Sequence, residues 1–258
     1  SKRDYPTSNS GIVMELKLED FAKYEKYGPL SGMQFQKEIE TLAYDKLVCL
    51  GDIVGYGADP NPCVEWVRER ADFTIAGNHD WGAIEKTGIA YFNSYARESC
   101  LWTRKQLTEE NINFLKSLPL DHEEAGVYWV HASPFEPEAW HYVTSKAGGK
   151  RFFSSFEAPI CFVGHSHNPV ILEQTADGEV NDYILDAWEI EPGNRYIFNG
   201  GSLGQPRDGN PDPAFMIFDS EEQTVKVQRF KYDLSRAQKK IRDNGLPSYL
   251  AERLAQGR

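Results

Sequence analysis

Short apolar runs that stop at Gly, Asp, Asn or His recur along the chain. Residues 46–50 read KLVCL and meet Gly51-Asp52, and residues 73–76 read FTIA and meet Gly77-Asn78-His79-Asp80. Residues 127–130 (VYWV) meet His131, and residues 160–163 (ICFV) meet Gly164-His165-Ser166-His167. Residues 195–198 (RYIF) meet Asn199-Gly200-Gly201-Ser202. Runs of this length, rich in β-branched and aromatic side chains, predict buried strands. Residues 214–218 and 224–230 predict an antiparallel pair, the second alternating apolar and polar positions. Residues 12–18 predict an earlier strand ending near Glu19-Asp20.

Helical patterns lie between these runs. Residues 62–70 follow Asn61, an N-cap type, with Pro62 at the first helical position. Residues 93–106 and 109–118 also read as helices, the second capped by Thr108. Residues 234–243 and, after Gly245, 247–256 complete the set. Strands alternating with helices early and antiparallel strands late predict an α/β protein with helices covering sheets. Ligands in such folds bind at the C-terminal ends of strands, where every polar cluster above falls.

Taken singly, each cluster has an ordinary explanation: a turn aspartate, an N-cap, a core histidine. Their coincidence is less ordinary. Asp52, Asn78, His131, His165 and His167 offer carboxylate, amide oxygen and imidazole, the mixed donors that Mn, Fe, Zn or Co accept. A carboxylate can bridge two cations, and two cations about 3.5–4 Å apart can clamp both oxygens of a phosphoryl displacement.

The 258 residues suffice for one large domain, and no linker, repeat or low-complexity tract divides them, so residues 1–258 are expected to form a single unit. The formal net charge of −11 and the lack of a Lys/Arg cluster argue against extended nucleic acid and an anionic membrane as partners. A small phosphorylated substrate stays compatible, because bound cations would dominate the local field. Cys49, Cys63, Cys100 and Cys161 form no C-x-x-C pair and read as free thiols. No signal-peptide pattern and no membrane-length apolar run occur, so the cytoplasm is the expected location.

With these motifs assembled, the chain resembles the calcineurin-like metallophosphoesterase superfamily, most closely its small bacterial and archaeal phosphodiesterases. The matching stretches are LVCLGDIVGYGADPNPC (47–63), IAGNHD (75–80), WVHASP (129–134), CFVGHSHNPV (161–170) and NGGSLGQPRDGNPDPAF (199–215), with the closing GLPSYLAERLAQG. The resemblance implies a four-layer αββα sandwich of two mixed β-sheets flanked by helices. It implies a divalent-metal phosphoesterase, acting on a phosphodiester or phosphomonoester, with two transition metals. Asp52 would bridge the metals, Asn78, His131 and His165 would hold one, and His167 the other. His79 would face the phosphate, with Asp80 orienting its imidazole. Arg207 reads either as a phosphate-gripping guanidinium or as a solvated turn residue, and Tyr56 either lines the pocket or packs.

The family's opening Asp-x-His strand is absent: no histidine precedes His79, and residues 1–45 match poorly. Asp20 stands where the Asp would fall, with Ala22 in place of the histidine. Three explanations follow. One metal site is weak or empty, a residue such as Glu19, Asp20, Glu25 or His141 fills it, or the N-terminal segment is altered from the family form. The second function this leaves open is a scaffold of the same fold that binds metal without turnover.

Overall fold

The computed structural model describes residues 10–14 and 31–258, so the expectations placed on Glu19, Asp20, Ala22 and Glu25 lie outside the described residues. In chain order the first half holds β1 (Ser10–Met14), α1 (Ser31–Glu40), β2 (Lys46–Cys49), α2 (Pro60–Arg70), β3 (Phe73–Thr74), α3 (Asn78–Ala83), α4 (Ser94–Gln106) and α5 (Glu109–Ser117). Next come β4 (Asp121–Glu124), β5 (Val127–Val130), α6 (Gly149–Phe153), β6 (Ile160–Val163), β7 (Pro169–Gln174) and β8 (Val180–Ile184). The chain continues through β9 (Ala187–Glu189), β10 (Arg195–Gly200), β11 (Ala214–Asp219), β12 (Thr224–Arg229), α7 (Leu234–Asp243) and α8 (Ser248–Leu254).

The strands form two six-stranded mixed sheets, ordered β3-β2-β1-β11-β12-β9 and β4-β5-β6-β10-β7-β8. β1, β2 and β3 run parallel, as do β5, β6 and β10, while β11, β12, β7 and β8 join antiparallel.

Strand alternation sorts the side chains into layers. Val48 of β2 and Met216 of β11 point between the sheets, meeting Phe162 of β6 and Tyr196 and Phe198 of β10 in one buried cluster. Their neighbours Leu47 and Cys49 face the other way, onto Phe35 of α1 and Val64 and Val67 of α2. Across the second sheet Cys161, Val163 and Ile197 face Phe152 and Phe153 of α6. Helix, sheet, sheet and helix therefore stack as the expected αββα sandwich. Each large aliphatic or aromatic side chain buried there contributes roughly 1.5–3 kcal/mol of apolar transfer free energy.

Two corrections concern ends. β1 begins two residues before the expected strand, at Ser10 rather than residue 12. α2 begins at Pro60 behind Asp59, so Asn61 lies inside the helix instead of capping it. Freed from capping, Asn61 donates to the Gln106 carbonyl and accepts from Thr108 N and Asn111 Nδ2, tying α2 to the α4–α5 junction. The cap expected at Thr108 forms, and Asn93, expected as the first helical residue, caps α4 instead; each side-chain oxygen accepts from the backbone N–H three residues on.

The two C-terminal helices pack on each other and, through Ala237, Ile241, Leu250 and Leu254, onto Tyr56, Ala58 and Ala96. Tyr56 follows β2 closely, so this docking sets the end of the chain beside the loops at the strand ends. No helix among the described residues is long and apolar enough to cross a membrane. All four cysteines are buried and free.

Candidate metal centre

The five expected ligands sit where strands of both sheets end, and all are buried: Asp52, His131 and His167 at 0 % exposure, Asn78 and His165 below 10 %. Asp52 follows β2, Asn78 opens α3 after β3, His131 follows β5, and His165 and His167 occupy the β6–β7 turn. Four residues of these loops hold left-handed backbone without being glycine: Asp52 (φ 53°), Tyr56 (63°), His165 (64°) and His167 (61°). Such conformations cost of order 1–3 kcal/mol each and persist where surrounding structure enforces them, which is typical of functional sites.

Glycine makes the crowding feasible. A Cβ on Gly77 would stand 2.3 Å from both N and Oδ1 of Asp52, and one on Gly51 would stand 2.5 Å from Gly77 N. The two loops thus meet backbone to backbone, and His79 N–H reaches Asp52 Oδ1 at 2.8 Å.

The tautomers follow from the partners. His131 Nδ1 lies 2.7 Å from the Leu50 carbonyl, which can only accept, so Nδ1 carries the proton and the neutral ring keeps its lone pair on Nε2. Nε2 stands 3.3 Å from Asn78 Oδ1 and 3.5 Å from Asp52 Oδ2. With metal–ligand bonds of about 2.1 Å, neighbouring ligands of a tetrahedral ion lie about 3.4 Å apart, so three acceptors at this spacing suit a cation. His165 joins them: Asp52, His131 and His165 each offer a ligand atom, all within 4.8 Å of one another, a candidate metal-binding cluster. His167 likewise donates from Nδ1, 2.6 Å from the Gln205 carbonyl, leaving Nε2 as its acceptor nitrogen. It lies next to the cluster in sequence but is not one of its three members.

Asp80 is also fully buried. Its oxygens accept from Gly77 N–H (2.9 Å) and Val54 N–H (3.2 Å), so the carboxylate fixes the loop backbone rather than contacting the His79 ring. Burial first, and then the charge of Asp52, raises its pKa to about 7. Two carboxylates buried this close are costly without a positive charge nearby, a second observation that a cation fits here.

The His79 ring is 4 % exposed, held between Tyr56 (4.5 Å between ring centroids) and Phe92 (4.9 Å). Of its two readings, Tyr56 meets the packing one, with its ring against His79. Burial raises its pKa, opposed by the guanidinium of Arg207. Arg207 is half-buried beside that ring, and its Nε and Nη2 donate to Gln205 Oε1 at 3.1 and 2.8 Å. It is not a solvated turn arginine. His141 pairs with Glu136 at the surface (3.1 Å) and stands outside the cluster.

Several supporting residues had no signal of their own in the sequence. Asn199 donates to the Gly164 carbonyl (2.5 Å) and Ser166 Oγ (2.9 Å), holding the turn that carries His165 and His167. Ser99 Oγ accepts from Tyr56 N–H at 2.6 Å. Tyr142 stacks on His165 at 4.1 Å. Asn199 lies in a matching motif, but nothing local marks Ser99 or Tyr142. A cavity of about 950 Å³ between α2 and α7 is lined by residues such as Asp59, Trp66, Trp102 and Lys240 and touches none of these groups.

With this geometry in place, residues 33–223 match the sequence profile of the calcineurin-like phosphoesterase superfamily domain. An uncharacterized protein of Methanocaldococcus jannaschii is 39% identical over 227 residues, 86% of this chain and 90% of that protein. The crystal structure of a metallophosphoesterase from Sphaerobacter thermophilus superposes with a TM-score of 0.80 at 32% identity, covering 98% of this chain and 100% of that one. A hypothetical protein from Pyrococcus horikoshii shares the fold, with a TM-score of 0.71 at 18% identity over 96% of this chain and 98% of that one.

Proposed function

Because the chain belongs to the calcineurin-like phosphoesterase superfamily, we propose that it hydrolyses a phosphomonoester or phosphodiester, using a divalent cation held by Asp52, Asn78, His131 and His165. The observation that carries this reading is the convergence of Asp52 Oδ2, Asn78 Oδ1 and His131 Nε2, with the His131 proton fixed on the far nitrogen. A second cation would be held by Asp52 and His167, and Mn, Fe, Zn or Co all suit these donors. Cations bound there would polarise a phosphoryl oxygen and make water a better nucleophile near neutral pH.

The chain's own groups do the rest. His79 faces the phosphate and, when protonated, gives its proton to the departing oxygen. Asp80 holds the loop so that His79 N–H stays on Asp52 Oδ1 while the ring stays against Tyr56. Arg207, oriented by Gln205, grips a non-bridging phosphate oxygen. The free, buried thiols accord with a reducing compartment, and we assign the protein to the cytoplasm.

Hydrolysis of bis-p-nitrophenyl phosphate and p-nitrophenyl phosphate, with Mn²⁺ and with chelator, tests the reading. Mn²⁺-dependent turnover that falls at least about 100-fold in His79→Ala and in Asp52→Asn is expected. Turnover at the wild-type rate in both variants would refute it, and stoichiometric Mn²⁺ binding without turnover would assign the chain to the metal-binding scaffolds.

A further inference from the structure

α8 brings a second arginine to the site. Arg253, half-buried on that helix, stands 5.9 Å from the Tyr56 ring on which Arg207 also rests at 5.8 Å. It also lies 5.5 Å from Tyr249, whose ring stacks on Tyr95. Tyr56 links Arg253 to the metal centre, because it packs on His79, and Tyr142 stacks on His165.

Two like charges sharing one ring is an unfavourable arrangement. Burial and then Arg207 push the Arg253 pKa down. Neither guanidinium ion-pairs with an Asp or Glu among the described residues, although the chain carries an excess of acid. Arg253 Nε donates to the main-chain oxygen of Arg258, the last residue of the sequence, while its two Nη nitrogens make no hydrogen bond among the described residues. Guanidinium groups have five donors and no acceptor, so those two nitrogens, which are not among the buried unsatisfied atoms, are available to an anion. The rim is aromatic and open: Tyr142 is 55 % and Tyr249 42 % exposed.

We propose that Arg253, with Arg207, forms an anion subsite beside the metal centre that takes the second phosphate or carboxylate of a doubly anionic phosphoester. The inference rests on the phosphoesterase reading for the first phosphate and names the class of substrate that reading leaves open. Arg207 serves the scissile phosphate, and Arg253 serves the group beyond it. Guanidinium is the group of choice for both, since its planar fork fits phosphate and carboxylate alike.

The test is calorimetric titration of the 258-residue chain, with and without bound Mn²⁺, using inorganic phosphate, phosphonoacetate and methylenediphosphonate as probes. Wild type should bind a two-anion probe at least about tenfold more tightly than phosphate, and the tighter of the two identifies the second group. Arg253→Ala should lose that preference while its affinity for phosphate stays within about twofold. Arg253→Lys, which keeps the charge and loses the fork, should fall between. Arg242→Ala, which removes an exposed cation on α7, should match wild type. Equal preference in wild type and Arg253→Ala would overturn the subsite, as would equal loss of phosphate and two-anion binding. A protein that binds no Mn²⁺ but shows the Arg253-dependent preference would overturn the metal reading and leave the subsite standing.

Discussion

Gly55 lies flat against His79: a Cβ at position 55 would stand 2.4 Å from His79 Nδ1 and 2.9 Å from Cγ, and the backbone there holds φ 105°. No L side chain fits that space or that conformation. Gly55→Ala is expected to destabilise the fold by about 1–3 kcal/mol through backbone strain and to push the imidazole off its seat on Tyr56. Phosphoesterase activity should fall by roughly tenfold or more, while bound metal stays constant. Denaturant unfolding, metal analysis and kcat/KM together check this. Unchanged kcat/KM would remove His79 from the reaction.

Bound metal should stabilise the fold as well as serve the chemistry. A cation present at 100 times its Kd contributes about 2.7 kcal/mol, which for a chain of this size raises Tm by roughly 5–10 °C. Wild-type protein should carry at least one Mn²⁺ per chain after loading and lose that increment of Tm in chelator. Asp52→Asn and His131→Ala should hold much less metal and show little chelator effect. Elemental analysis and thermal unfolding read both. Less than one metal per loaded wild-type chain would count against the centre.

Crowding and backbone strain can be separated at two other glycines. Gly77 has an ordinary φ of −97°, so the cost of Gly77→Ala is contact alone, a Cβ driven 2.3 Å from Asp52 N and Oδ1. About 3 kcal/mol or more is expected, together with loss of metal. Gly178 has φ 86° and open space, so Gly178→Ala should cost only about 1–2 kcal/mol, from the left-handed conformation alone, with metal affinity intact. Equal metal affinity in the two variants would show that the Gly77–Asp52 contact does not shape the site.

What was legible in the sequence follows from where the signal resides. β6 is buried on both faces, so its four apolar residues stand out and its bounds are read correctly. β4 reads Asp-His-Glu-Glu and is mostly exposed at a sheet edge, so its pairing with β5 leaves no apolar mark. β7 opens on a proline, a strand-breaking signal that an antiparallel neighbour overrides. The candidate ligand types stood out because metal chemistry restricts them to few residues. α3 was hidden by its own chemistry: Asn78, His79 and Asp80 form its first turn behind Gly77, where the ordinary explanation of the cluster was an N-cap. Arg253 lies in the closing stretch that matches the family, but its role was not readable there, because only the docking of α8 against Tyr56 brings it to the site.

The last expectation concerns a residue that touches no ligand position directly. Asn199 Nδ2 donates to both the Gly164 carbonyl and Ser166 Oγ, while its Oδ1 accepts from Gly201 N–H at 3.0 Å. It thereby clamps the turn in which His165 and His167 hold left-handed backbone, a conformation the turn would otherwise relax. Asn199→Asp keeps the size and the acceptor for Gly201 but sets a carboxylate oxygen against the Gly164 carbonyl, acceptor facing acceptor. Outer partners of metal ligands are typically worth 10–100-fold in affinity, so Mn²⁺ binding should weaken by about that factor in Asn199→Asp and in Asn199→Ala. Tm measured in chelator should fall further in the Asp variant, because a buried charge joins Asp52 and Asp80. Wild-type metal affinity in both variants would mean that the β6–β7 turn holds its strained histidines without help, and that the strain at residues 165 and 167 owes nothing to Asn199.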